Sequence, residues 1–387
     1  MEHLDEPDHI QMLRDTLERF ASKELTRDAT RAWEGGEDIP PEVVGKLAAL
    51  GVFGMAIPEE YGGSGRDLVA TMATIEEITR WSQALVNLFI LGACYAGMNL
   101  VECGSPEQKA ELLPKVVAGE LRFSYGLTEP DVGSDLASVT TTARRDGDDV
   151  VVNGAKRFCT GATLSHYIYT LVRTGDPDAR HKNLSIVLVP PMTTGVTIEP
   201  QHGMGLRSSR TSDITFTDVR IPGANIVGGE EGWNRGWDML TGVGLDVEKI
   251  EVAAMSLGLA RAALDEAWNY SQTRVQFRRV ISTNQAVRHA LAEAKTKLEA
   301  CRLMTYHSAW LLQNDRPAGV STSMTKLFVS EAAVEIVLSC QKVMGAYGYI
   351  DDFNMERYVR DVLAMPIIGG SSAIQRNNLA NALGLSR

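Results

Sequence analysis

One carboxylate in this sequence stands on a row that otherwise reads as apolar. In LDVEKIEVAAMSLGLA (245–260), Leu245, Val252, Met255 and Leu259 recur at helical spacing, and Glu248 shares their face. Burying a carboxyl disfavours its charged form, so its pKa climbs toward the range of a useful general base. The blander alternative is that the helix begins here and Glu248 is solvated, helped by the N-terminal dipole. Glu251 is a rival on the adjacent row.

Three further segments could meet a ligand. YGLTEPDVGSD (125–135) combines small residues with hydroxyls at Thr128 and Ser134. It is either a surface for a flat, hydrogen-bonding ligand or a loop built around Pro130 and Gly133. NGAKRFCTGA (153–162) puts Phe158 and Thr160 at strand alternation, so both should project from one face. They could flank a planar ring and bond its edge, or Phe158 could be core. IIGGSSAIQR (367–376) sets two glycines and two serines before a helix. Ser371 or Ser372 could cap that helix, or the loop could offer free N–H groups to a ligand oxygen. There is no GxSxG, HExxH or Walker loop, and the one ExxH (Glu6 to His9) precedes the first helix. Redox work in such a chain needs an organic cofactor.

These residues need scaffolding, and 387 residues allow two or three packed domains. A hydrophobic fraction of 44% and a charged fraction of 22% are ordinary for a globular protein. The net charge of −11 argues against a nucleic-acid partner. Five scattered cysteines read as reduced thiols in a cytoplasmic protein. The acidic opening MEHLDEPDHI has no basic region followed by an apolar core, so no signal peptide is expected. The uncharged stretch 81–101 approaches membrane-span length, but Gln83, Asn87 and Asn99 interrupt it, which favours a helix buried in a soluble bundle.

Periodicity divides the chain into three zones: helices over 1–119, a compact β domain over 120–230, and an antiparallel helical bundle over 231–387. The expected fold class is therefore mainly α with an inserted β domain. Helices are expected near 235–272, 282–313, 320–346 and 372–384.

The ordered segments IPEEYGGSG, LTEPDVGSD, NGAKRFCT, FTDVRIP, TRVQFRRVISTNQ, QKVMGAYGY and GGSSAIQR together resemble the acyl-CoA dehydrogenase family over nearly the whole chain. The resemblance implies FAD as cofactor, an acyl-CoA substrate, an electron-transferring flavoprotein as acceptor, a four-helix C-terminal bundle and a homotetramer without membrane attachment. It places Tyr125, Leu127, Thr128 and Ser134 around flavin and substrate. Phe158 stands against the isoalloxazine where the family usually has Trp, with Thr160 near N5. Arg274, Phe277, Gln285, Gln341 and Gly345 would serve a neighbouring subunit's FAD, and Ser371 holds the place of a family Thr.

The family's usual catalytic Glu is replaced here by Gly369, while Leu245-Asp246-Val247-Glu248 matches a minority branch, including isovaleryl-CoA dehydrogenase, with its base on a bundle helix. The resemblance thus makes Glu248 the base and Gly369 a backbone donor to the thioester oxygen. Asp246 and Lys249 fall on the substrate side, Asp246 as an orienting or capping residue. Lys249, Arg278, Ala346 and Ala373 depart from the family pattern. The last three keep open a non-catalytic subunit of a heteromeric dehydrogenase, and the fold also admits an enoyl-CoA reductase or oxidase.

Overall fold

The computed structural model describes residues 6–385, so the first half of the acidic opening lies outside the described residues. Helices α1 (Asp8–Glu24), α2 (Arg27–Glu34), α3 (Pro41–Ala48) and α4 (Leu68–Trp81) build the N-terminal body. The Asp67 carboxylate caps α4 by accepting from the Ala70 N–H at 2.8 Å. The uncharged stretch becomes one rod: α5 (Gln83–Phe89), a π-helical segment Ile90–Met98, and α6 (Asn99–Cys103). By length and composition Gln83–Cys103 could cross a membrane, yet 83% of its most apolar window is buried inside the protein. The π segment widens the rod and shifts the phase of its side chains. α7 (Pro106–Val117) follows, opened by a capping box between Ser105 and Gln108.

The middle of the chain forms one seven-stranded sheet. Its strands are β1 (Phe123–Gly126), β2 (Thr142–Asp146), β3 (Asp149–Cys159), β4 (Tyr167–Arg173), β5 (Leu184–Val189), β6 (Val196–Pro200) and β7 (Ser212–Pro222). The order is β1-β4-β2-β3-β7-β6, with β5 paired to β4; β1 and β2 run parallel to β4 and the other pairs are antiparallel. Strands β3, β4, β5 and β7 fall on the β-branched and aromatic runs VVVNGAKRFCT, HYIYTLVRT, LSIVLVP and SDITFTDVRIP. β1, β2 and β6 are additional, and the last two are largely exposed.

The expected bundle follows, with one break. α8 (Gly236–Thr241) stops at Gly242, and α9 (Val243–Thr273) then runs 31 residues. A hairpin, β8 (Val275–Gln276) and β9 (Arg279–Val280), leads to α10 (Gln285–Gln313) and α11 (Gly319–Met344). A short α12 (Met355–Val362) and α13 (Ser372–Ala382) complete the chain.

α9 is shared property. Its apolar side joins α1 and α4 as well as α10, α11 and α12 in a single hydrophobic core. A Cβ on Gly258 would lie 2.6 Å from the Glu76 carbonyl oxygen, so α9 and α4 meet in backbone contact that only glycine permits. Beside that contact, buried Glu76 and Glu77 of α4 accept from Arg14 of α1 and Arg261 of α9, with the Tyr306 hydroxyl of α10 also on Glu76. The β domain has its own core around Val152, Ile168, Val187 and Phe216.

Candidate active site

A cavity of about 190 Å3 opens where the rod, β1 and the start of α9 converge. Cys94, Met98 and Asn99 line it from the rod, Tyr125 from β1, Glu248 and Glu251 from α9, and Arg66 from the loop before α4. Tyr125 is held flat against Tyr95, with ring centroids 3.7 Å apart and planes within 2°. Its hydroxyl accepts from Asn99 Nδ2 at 2.6 Å.

Glu248 is the sixth residue of α9, past the turn where a helix N-terminus acts on charge. The solvated-start alternative therefore falls. Burial raises its pKa to about 7, while the ammonium groups of Lys326 and Lys249 pull the other way. One turn on, Glu251 is 4% exposed. Burial, then the charge of Glu248, push it to about 8, opposed by the Cys94 thiol. Lys326 of α11 is fully buried, and its Nζ has no hydrogen-bond partner among the described residues. Burial lowers its pKa to about 8, against the pull of Glu248.

Gly369 is brought directly to this carboxyl. Its φ is +58°, and a Cβ built there would lie 2.8 Å from Val252 Cγ2 and 3.9 Å from Glu248 Cγ. Gln375 holds the loop by donating to the carbonyls of Gly369 at 3.3 Å and Gly370 at 3.1 Å. The Gly369 N–H meets no acceptor among the described residues. Ser371 caps α13 by accepting from the Ile374 N–H at 3.4 Å. Asp246 accepts from Lys249 Nζ at 2.8 Å and from the Thr322 hydroxyl at 2.7 Å, and neither Asp246 nor Lys249 lines the cavity.

A second surface forms where β1 runs into the loop 127–135. Buried Lys156 donates to the Leu127 carbonyl at 3.1 Å and to Glu129 at 2.9 Å. Glu129 also accepts from the backbone of Thr140 and Thr141, and the Arg157 N–H donates to the Thr128 carbonyl at 2.8 Å. These bonds pin the loop against the end of β3 and leave its outward groups open. The hydroxyls of Thr128, Ser134 and Thr160 have no partner among the described residues.

Phe158 corrects the alternation expected for this strand. A register shift between Lys156 and Cys159 and a φ of +59° at Phe158 break the period, so Phe158 and Thr160 are not simple same-face neighbours. The ring is not core either, being 57% exposed, with the Arg157 guanidinium 5.1 Å from its centroid. An open aromatic face beside unengaged hydroxyls and backbone suits a planar, heteroatom-edged ring such as isoalloxazine. These residues fit FAD.

The remaining expected cofactor residues lie elsewhere. Arg274 follows the far end of α9, 26 residues from Glu248 and so roughly 39 Å along the axis. Its guanidinium lies 5.4 Å from the centroid of Tyr347, in the turn that begins at Gly345. Gln341 donates to the Gly348 carbonyl in the same turn, at 3.3 Å. Phe277, at the hairpin tip, is 96% exposed, and Gln285 opens α10. Arg274 and the Gly345 turn beside it therefore stand well apart from Glu248.

Two of the small residues in the π segment serve packing. A Cβ on Gly92 would lie 2.9 Å from the Phe53 ring, and one on Gly97 3.3 Å from Val116. The residues that sequence reading missed are Arg66, Cys94, Asn99 and Lys326. Lys326 had a usable signal, since it shares a buried helical row with Thr322, Val329 and Ala333.

Three family models match in order: acyl-CoA dehydrogenase N-terminal domain over 7–120, middle domain over 124–219 and C-terminal domain over 234–384. A 3-(aryl)acrylate reductase from Clostridium sporogenes is 36% identical over 96% of this chain and 98% of that protein. A subunit of the caffeyl-CoA reductase–Etf complex of Acetobacterium woodii is 34% identical over 96% and 97%. Among solved structures, butyryl-CoA dehydrogenase from Megasphaera elsdenii superposes with a TM-score of 0.92 at 27% identity, over 98% of this chain and 99% of that one. Helical bodies flanking a β domain, a carboxyl facing a cavity and three matched domains in sequence lead to one conclusion: this chain belongs to the acyl-CoA dehydrogenase family.

Proposed function

We propose that this FAD enzyme desaturates an acyl-CoA thioester, with Glu248 as the base that removes the α-proton. The observation that carries this reading is the meeting of Glu248 with Gly369: a buried carboxyl stands against a loop whose amide is unengaged. The thioester oxygen would accept from the Gly369 N–H, which stabilises the charge that builds on oxygen as the α-proton leaves. Glu248 takes that proton, and its pKa of about 7 suits the task near neutrality. Bound FAD supplies a two-electron acceptor for the hydride from the β-carbon, so one C=C bond replaces two C–H bonds. Walls from α9 and the rod exclude water and strengthen these interactions. Asp246, tied to Lys249 and Thr322, steadies the start of α9 from outside the cavity lining.

Tyr125, Leu127, Thr128, Ser134, Phe158, Thr160 and Ser371 would hold the flavin on the cavity side. Arg274, Phe277, Gln285, Gln341 and Gly345 would reach the FAD of a neighbouring subunit in a homotetramer. An electron-transferring flavoprotein is the proposed acceptor. The decisive experiment is anaerobic mixing of acyl-CoA with wild type and with Glu248→Gln that retains its flavin. Loss of flavin bleaching in the variant supports the assignment; full bleaching at the wild-type rate rejects it.

The reverse direction is a second reading. A carboxyl with a pKa of about 7 donates a proton as readily as it takes one, and two relatives above are named as reductases. Comparing flavin bleaching by the saturated thioester with reoxidation of reduced flavin by the enoyl thioester separates the two.

A further inference from the structure

The proposed reaction uses one carboxyl, yet two more line the cavity: Glu102, which is exposed to solvent, and Glu251 beside the base on α9. Of the two on α9, Glu251 is the more deeply placed, almost fully buried where Glu248 keeps a little of its side chain accessible. On a helix, residues three apart have Cβ atoms about 5–6 Å from each other, so Glu251 sits that far along the cavity wall from the base. No salt bridge holds it among the described residues. The cations around the cavity are engaged or directed elsewhere: Arg66 bonds Asp315 at 2.8 Å, Lys249 bonds Asp246, and Lys326 faces Glu248. Among the described residues, the side chain that donates to it is the weakly donating Cys94 thiol.

A pocket for plain alkyl chains gains nothing from such a group. Leaving a buried carboxyl without a proper partner is costly relative to an apolar residue of similar volume. Beside an ionised Glu248, Glu251 holds its proton more tightly than an isolated carboxyl would. In that form it presents both a donor and an acceptor to the cavity, which suits a neutral hydroxyl better than a cation or an anion.

Resting on the dehydrogenase reading above, we infer that Glu251 is a specificity-determining residue that selects acyl thioesters bearing a hydroxyl about four or five bonds beyond the α-carbon, a span set by the one-turn offset from Glu248. A site built to bond a substrate hydroxyl discriminates strongly against the analogue that lacks it, because its own polar group is then left unpaired. No atom is transferred at Glu251; it only holds the chain.

The test compares ω-hydroxyhexanoyl-CoA with heptanoyl-CoA, its methyl isostere, on wild type, Glu251→Leu and Glu251→Gln, all loaded with FAD. The readout is the ratio of kcat/KM for the two thioesters, taken from anaerobic flavin bleaching. Wild type should favour the hydroxylated chain by at least about tenfold. Glu251→Leu should remove or invert that preference, and Glu251→Gln, which still donates and accepts, should retain most of it. Equal ratios in wild type and Glu251→Leu overturn the inference, as does a wild type that prefers heptanoyl-CoA, a result that stands even if the Leu variant does not fold. In both cases bleaching by heptanoyl-CoA leaves the dehydrogenase reading intact. A wild type bleached by neither thioester nor by any other acyl-CoA overturns both.

Discussion

The side chain that Gly369 lacks would begin 3.9 Å from Cγ of Glu248. Two positions more than a hundred residues apart thus compete for one volume, and only one of them can carry an acid there. The nearer obstacle is Val252, 2.8 Å from the same point.

Moving the acid back should therefore need more than one change. Gly369→Glu in a Glu248→Gln background should stay inactive and lose about 1–3 kcal/mol of stability, from the left-handed φ and the clash with Val252. Adding Val252→Ala should recover part of that stability and a measurable rate of flavin bleaching. Thermal midpoints and anaerobic bleaching check both steps.

The pH profile should carry the mark of the base. kcat/KM should rise with pH through about 7, as Glu248 loses its proton. Lys326→Met removes a charge that pulls that pKa down, so the acid limb should shift to higher pH. An acid limb that stays put in the variant would show that Lys326 does not act on the base.

Stability should respond in the opposite sense to activity. Burial lifts Glu248 to about 7 and Glu251 to about 8, from an ordinary 4.5. Between 4.5 and 8 the folded chain holds protons that the unfolded chain has released, so their contribution is complete below 4.5 and is lost as pH rises through 7 to 8. Tm should fall across that window, and less steeply in Glu251→Gln. Scanning calorimetry of wild type and variant from pH 5 to about 8.5 tests the difference.

The hairpin tip offers a stabilising change. Phe277 and Arg278 adopt φ of +51° and +64°, conformations that side chains resist. Arg278→Gly should raise stability by about 1 kcal/mol, read as a higher denaturation midpoint. It also restores the family's glycine, so flavin affinity should not decline.

Much of this was legible in the residues. The three zones follow from period alone, and the apolar stripe through Leu245, Val252, Met255 and Leu259 placed Glu248 where the cavity lies. What escaped has physical reasons. Strand β2, TARRD, shows little apolar alternation because only Ala143 faces inward, so its pairing with β3 defines it. Phe158 misled because a bulge resets the strand phase. Glu251 was read as a rival base, and whether it points at solvent or a cavity depends on Cys94, far away in sequence.

The shared core has a consequence for how the chain is born. Leu17, Phe20, Met72 and Ile75 leave the ribosome well before α9, which completes the core they share. More than a hundred residues, including the entire sheet, must be translated first, which at roughly 5–20 residues per second is a wait of about ten seconds. During that interval the leading helices can pack on one another but leave open the face that α9 will cover, and a growing chain in this condition is a natural client for chaperones. The sheet, with a separate interior, can settle while still tethered; the helices around it must fold last and together.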